Sequence, residues 1–200
     1  GALVTKHCLA KPNLRVNILV RDASKCSELV ESVKKAGGRV FIGDITQPES
    51  IKGICQGMHT VISTISGADD KVPVDGQKNL LAECVSSGVK RFVPSDFGVN
   101  YSEFSKEYLK ELPVIRQKIV FEEHFSTVKG ITFLRFCQGV FTEMYFILQS
   151  QGFHYWGNID QPIDLTTFED TARVVASAVS NPKKTGNVVF IGEKLTTRQI

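Results

Sequence analysis

The sequence predicts an α/β fold with a mostly parallel sheet covered by helices on both faces, and three observations carry that prediction. Short apolar runs rich in β-branched residues recur along the chain without strict alternation, as strands buried on both faces require. Segments with helical spacing separate each run from the next. Glycines and capping residues fall at the junctions between them. Alternation of this kind throughout a chain is the mark of a Rossmann-type doubly wound parallel sheet.

The elements follow in order. Gly1 and Ala2 to Ala10 read as the last glycine of a GxxGxxG or GxGxxG turn and the helix behind it, whose N-terminus faces a pyrophosphate in such folds. The strand and earlier glycines that normally precede that helix are not in the sequence, so residues upstream of Gly1 are expected to complete the sheet. The alternative is a sheet that begins at Val16. Strands are expected at Val16–Val20, Val40–Ile42, Val61–Ile65, Arg91–Val93, Ile131–Phe136 and Val188–Ile191, and helices at Ser24–Ala36, Val74–Ser87, Val114–Thr127 and Phe168–Ser180. Asp22 or Ser24 caps the second helix, Gly37 and Gly38 end it, and Gly88 ends the third. Gly152 to Leu165, with Pro162 and several polar residues, is expected to leave the sheet and build part of a substrate-side lobe. Leu195, Thr196 and Thr197 look like the start of another helix that the chain cuts short. The expected division is therefore 1–151 for a dinucleotide-binding domain lacking its first strand and 152–200 for a small, partial C-terminal substrate lobe that returns to the sheet.

Composition limits what such a fold is for. Two hundred residues, 42% hydrophobic and 22% charged, suit one core, since chains divide mainly above roughly 250 residues. A net charge of +3, with acids scattered among the bases, does not make nucleic acid the default partner. No apolar run approaches the roughly 18 residues of a membrane span, and no signal-peptide stretch opens the chain. Five cysteines occur singly without a CxxC pair, which suggests reduced thiols and a cytoplasmic setting. His124 and His154 stand alone, and no metal site is suggested.

The carboxyl ends of the strands hold the candidate ligand residues. An acidic residue after the second strand of this fold accepts hydrogen bonds from an adenosine ribose, whereas an arginine there welcomes a 2′-phosphate. Here the strand ends Leu19-Val20-Arg21, with Lys25 four residues on, so NADP(H) is the expected cofactor. The competing reading makes Arg21 a solvated residue and Asp22 the ribose ligand. Asp44 and Ile45 follow the next strand and could meet an adenine edge, although a capping turn explains the same letters. Thr64, Ile65 and Ser66, in the small-residue string Ser63 to Gly67, let the chain pass close to a dinucleotide.

The most specific string is Val89-Lys90-Arg91-Phe92-Val93-Pro94-Ser95-Asp96-Phe97-Gly98. With Leu19-Val20-Arg21, Gly43-Asp44, Val61-Ile62-Ser63 and Gln77 in order, it resembles the isoflavone reductase-like, or NmrA-like, branch of the atypical short-chain dehydrogenases and reductases, over nearly the whole chain. The resemblance implies an NADPH-dependent reductase of a small organic molecule, aromatic or carbonyl-bearing, or else a non-catalytic NADP(H) sensor acting through a protein partner. It places the nicotinamide near Ser95 and Phe97, and puts Lys118 beside nicotinamide and substrate as the catalytic lysine, with Arg116 and Gln117 near enough to compete for the position. Without that role, Lys118 is an exposed helix lysine paired with Glu122. Tyr101, Tyr108, Tyr145 and Tyr155 have no lysine four residues later, so the Tyr-x-x-x-Lys mechanism, and with it a sugar-nucleotide epimerase, ranks last. Among the aromatics from Phe133 to Phe153, Phe136, Phe141 and Tyr145 are candidates to line a substrate pocket, against the plainer reading that they are core. A homodimer or a regulatory protein partner stays open.

Overall fold

The computed structural model describes residues 1–66, 70–100, 111–149 and 158–200. Gly152, Phe153, His154, Tyr155, Tyr101, Tyr108 and Gly67, which figured in the expectations above, lie outside the described residues, as does the expected 151/152 boundary.

Helix α1, Ala2–Leu9, begins directly at Gly1, whose carbonyl accepts from the Thr5 amide at 2.9 Å. Strand β1, Ile18–Val20, pairs in parallel with β2, Val40–Ile42, with Ile18 opposite Val40 and Val20 opposite Ile42. Between them runs α2, Ser27–Lys35, entered through a 3-10 turn at Ala23–Cys26. Asp22 caps that turn, its carboxylate accepting from the Ser24 amide at 2.9 Å and the Ser24 hydroxyl at 2.7 Å. Strand β3, Thr60–Ile62, leads through a π-helical turn at Lys71–Gly76 into α3, Gln77–Ser86, and then into β4, Arg91–Val93. Helix α4, Pro113–Ser126, has its proline in the first turn, where the missing amide costs nothing, and delivers the chain to β5, Thr132–Cys137.

After β5 come β6, Val140–Phe141, helix α5, Thr142–Gln149, strand β7, Pro162–Thr166, and helix α6, Phe168–Val179. The chain then forms β8, Gly186–Val189, and β9, Glu193–Thr196. β3, β4, β5 and β8 make a four-stranded parallel sheet in that order. β6 and β7 pair in parallel, and β7 pairs antiparallel with β9, in a separate three-stranded sheet.

Two expectations are corrected here. Residues 162–166, for which no strand is expected from the sequence, form one, with Pro162 at its first position, where a missing amide is tolerated. Leu195 and Thr196 do not start a helix; they pair with Ile163 and Pro162. Both are half-buried, and the pairing depends on a distant strand that the local letters do not reveal. Strand ends also differ: Ser63 to Ile65 lie beyond β3, and β8 begins two residues before Val188.

The order places β1 and β2 on one side and β3, β4, β5 and β8 on the other, so the chain's progress across the sheet reverses between β1 and β3. Among the described residues these two strands are not hydrogen-bonded to each other. Side chains join them instead: Leu19 and Val61 lie against the same apolar cluster, and Asn17 reaches both the Arg39 amide, at 2.6 Å, and the Met58 sulfur, at 3.2 Å.

Successive residues of β4 feed opposite faces. Phe92 joins Leu81, Cys84 and Phe121 under α3 and α4, while Val93 joins Leu134, Phe136 and Val175 under α1 and α6. Arg91, 1% exposed, donates to the Val179, Asn181 and Lys184 carbonyls at 2.7–2.8 Å and to the Thr60 hydroxyl at 3.1 Å. It thereby satisfies the carbonyl end of α6, where a positive charge also complements the helix dipole.

Candidate active site

Because the main-sheet strands run in parallel, their carboxyl ends gather along one edge, and the reversal between β1 and β3 is where folds of this kind carry their ligand crevice. Gly1 stands at this crevice, so close to the loop after β3 that a Cβ on it would come within 2.8 Å of Thr64 Oγ1. The first amides of α1 therefore face the edge where an anion would be held. Arg21 is exposed at the end of β1, and Lys25 is exposed on the turn that follows.

Asp22 Oδ1 accepts from its own turn, from the Ser24 amide and hydroxyl, while the side chain stays exposed. Asp44 does the same: its carboxylate accepts from the Thr46 amide and hydroxyl, both at 2.8 Å, and these bonds, followed by the nearby charges of Arg21 and Lys71, hold it below the usual carboxylate range. Ile45 is buried, with its carbonyl accepting from Asn79. Thr64 and Ser66 are exposed.

The loop after β4 is tied down on three sides. Ser95 donates its amide to Gln77 Oε1 and its hydroxyl to the Ile65 carbonyl, both at 2.7 Å, joining β4, α3 and the loop after β3. Gly98 bridges to the end of β5, its amide on Gln138 Oε1 at 3.1 Å and its carbonyl accepting from the Gln138 amide at 2.9 Å. The Phe97 ring stacks on Phe136 at 6.1 Å, and the Phe97 carbonyl accepts from Lys118 Nζ at 2.7 Å.

Lys118 is thus drawn under the loop and is only 17% exposed. The surface pairing with Glu122 does not form: Glu122 bonds Arg135 at 2.9 Å instead. Burial pulls the Lys118 amine below the ordinary lysine value, and the Asp96 carboxylate, 3.9 Å away, opposes that pull. Of the two competing positions, Arg116 forks onto Asp70 at 2.8 and 2.9 Å, and Gln117 is 4% exposed.

Beside Lys118 lies a cavity of about 110 Å³ lined by Gln77, Ser95, Asp96, Arg135 and the rings of Phe121, Phe125 and Phe133, among others. The aromatic residues singled out from the sequence line other places. Phe136, 1% exposed, is part of the core, Phe141 lies against Phe168 at 4.5 Å, and Tyr145 directs its hydroxyl to Thr197. Helix periodicity on α4 puts Phe121 and Phe125 on one face, four residues apart. That spacing was the signal for this lining, and core packing explains it equally well before the cavity is seen.

Small backbone groups at the crevice, helix amides facing it, an exposed arginine at the β1 end and a buried amine near Ser95 together fit a phosphorylated dinucleotide. Among the described residues, no helix is long and apolar enough to cross a membrane.

A family model described as the NmrA-like family matches residues 1–200. No curated protein matches the chain. Among solved structures, an isoflavone reductase superposes with a TM-score of 0.78 at 17% identity, over 98% of this chain and 68% of that one. AtPrR2, solved with NADP+ and (+)pinoresinol, gives 0.75 at 20% identity over the same shares, 98% and 68%. The triphenylmethane reductase of Citrobacter sp., complexed with NADP(H), gives 0.74 at 17% identity, again over 98% and 68%. At such identities the likeness speaks for the fold.

Proposed function

Because the chain belongs to the NmrA-like family, whose model matches residues 1–200, we propose that it binds NADP(H) across the β1–β3 crevice and reduces a small organic substrate. The observation that carries this reading is the Lys118 amine, buried and held at the Phe97 carbonyl beside Ser95. The NADP(H) seen in AtPrR2 and in the Citrobacter enzyme supports the choice of cofactor.

In this reading Gly1 and the first amides of α1 hold the pyrophosphate, and Arg21, with Lys25 nearby, holds the 2′-phosphate. Thr64, Ile65 and Ser66 border the dinucleotide, Asp44 and Ile45 shape the adenine end through their backbone, and Ser95 and Phe97 border the nicotinamide. When bound, NADPH supplies a hydride. Lys118 orients the substrate's acceptor group and gives it a proton, a step eased by burial, which lowers the amine's hold on that proton. Residues 152–200 contribute the substrate side, and the aromatic-lined cavity beside Lys118 takes the apolar part of the substrate.

The test is loss of reduced-nicotinamide absorbance across a panel of quinones, aromatic ketones and conjugated alkenes, with the wild type and Lys118→Met. Turnover of at least one compound, reduced about 100-fold or more in the variant, supports the reading. Tight NADPH binding with no turnover anywhere on the panel would favour a sensor instead.

A further inference from the structure

The acidic position of the Val89–Gly98 string has no part in the reaction as described so far, yet it sits at the centre of a closed charge cluster. Asp96 is 6% exposed, on the loop between β4 and the Phe97 carbonyl. One of its oxygens lies 3.9 Å from Lys118 Nζ and the other 3.4 Å from Arg135 Nε. Arg135, itself 4% exposed on β5, turns its other nitrogens to Glu122 Oε1 at 2.9 Å and Asn100 Oδ1 at 3.4 Å. Two cations and two carboxylates therefore occupy one partly enclosed space, and their formal charges cancel.

Cancellation depends on Asp96. The groups facing Lys118 are Asp96 from the β4 loop and Arg135 and Cys137 from β5, with Glu122 one turn along its own helix but engaged by Arg135. Remove the Asp96 charge, and Lys118 faces a buried guanidinium with nothing between to screen it, in surroundings that already disfavour an ammonium. The Phe97 carbonyl is a neutral acceptor and does not replace a full charge.

We propose that Asp96, anchored by Arg135, is the positioning residue that holds the Lys118 ammonium at the Phe97 carbonyl and keeps it charged until a substrate takes its proton. The proposal rests on the reductase reading for its purpose, but the linkage between the two side chains is a property of the protein alone. Asp96 touches no reacting atom; it acts through Lys118.

The test titrates the Lys118 amine directly, by nuclear magnetic resonance of protein carrying ¹³C-labelled lysine, with Lys118→Met identifying the signal. In Asp96→Asn the midpoint is expected to fall by about one pH unit or more, and the alkaline limb of the activity profile to move down with it. Asp96→Glu, which keeps a carboxylate, is expected to restore most of both. The double variant Asp96→Asn/Arg135→Met removes opposite charges together and guards against a misfolded single variant. Its midpoint is expected to lie above that of Asp96→Asn, because the guanidinium is gone and Glu122 is released beside Lys118. A Lys118 midpoint in Asp96→Asn that coincides with the wild type overturns the proposal, as does a double variant whose midpoint is no higher than that of Asp96→Asn, or an equal fall in Asp96→Asn and Asp96→Glu. If the titration moves as expected while Lys118→Met reduces substrates as fast as the wild type, the reductase reading of Lys118 fails and the linkage stands.

Discussion

At the scale of single residues, Arg21 and Lys118 are set up in opposite ways, one exposed at the end of β1 and the other drawn beneath a loop. An exposed guanidinium contributes where it meets a phosphate, and charge-assisted hydrogen bonds of that kind are worth about 1.5–3 kcal/mol. Arg21→Ala is therefore expected to weaken NADPH binding roughly 10- to 100-fold and NADH binding far less, as read by fluorescence titration of each. For Lys118 the sign runs through protons. Its folded-state pKa lies below the ordinary 10.5, mainly because it is buried, so at low pH the cost of holding a buried charge is present in full. As pH rises from the folded value toward 10.5, the unfolded chain binds more protons than the folded one, and the cost is relieved. The unfolding temperature of the wild type relative to Lys118→Met is thus expected to rise over that alkaline window. The sequence marked both residues because strand ends and family spacing point to them. It could not show that Asp22 and Asp44 spend their carboxylates on their own turns, since a turn cap and a ligand look alike as letters. Nor could it separate Phe136 in the core from Phe121 and Phe125 at the cavity, because all three are apolar residues at regular spacing.

At the scale of elements, Arg91 shows how a family string hides a structural task. Its side chain collects the last carbonyl of α6, at Val179, and those of Asn181 and Lys184 in the turn that follows, more than eighty residues away in sequence. Arg91→Met would leave those acceptors in a largely dry place, at a cost of about 3 kcal/mol, to be measured by denaturant unfolding, with the last turn of α6 losing protection first. Strands of the main sheet were legible because burial on both faces leaves continuous apolar runs, as in Phe92 and Val93. β9 was not legible. Glu193 and Lys194 are exposed, and their β-structure comes from pairing with Leu165 and Asp164, a partner that only the folded chain supplies.

At the scale of the whole molecule, an α/β fold with parallel strands could be foreseen from alternation alone. What alternation could not convey is that, among the described residues, β1–β2 and β3–β4–β5–β8 touch through side chains, with no backbone ladder between them. In a parallel strand alternate residues bond the same neighbour. Ile18 donates to Arg39 beside β2, and Ser63 donates to Val93 of β4, so the amides of Leu19 and Ile62 point toward the unladdered side. In a chain of residues 1–200 alone, deuterium should consequently enter at Leu19 and Ile62 well before it enters at Phe92 and Leu134, which sit inside the continuous ladder, and a strand paired there in a longer chain would remove the difference. The described residues are in this sense two leaves along a seam, and the loops after β1, β3 and β4 gather at one end of it. A ligand lying across it would staple the leaves, and its arrival would register as slower isotope uptake on both sides at once.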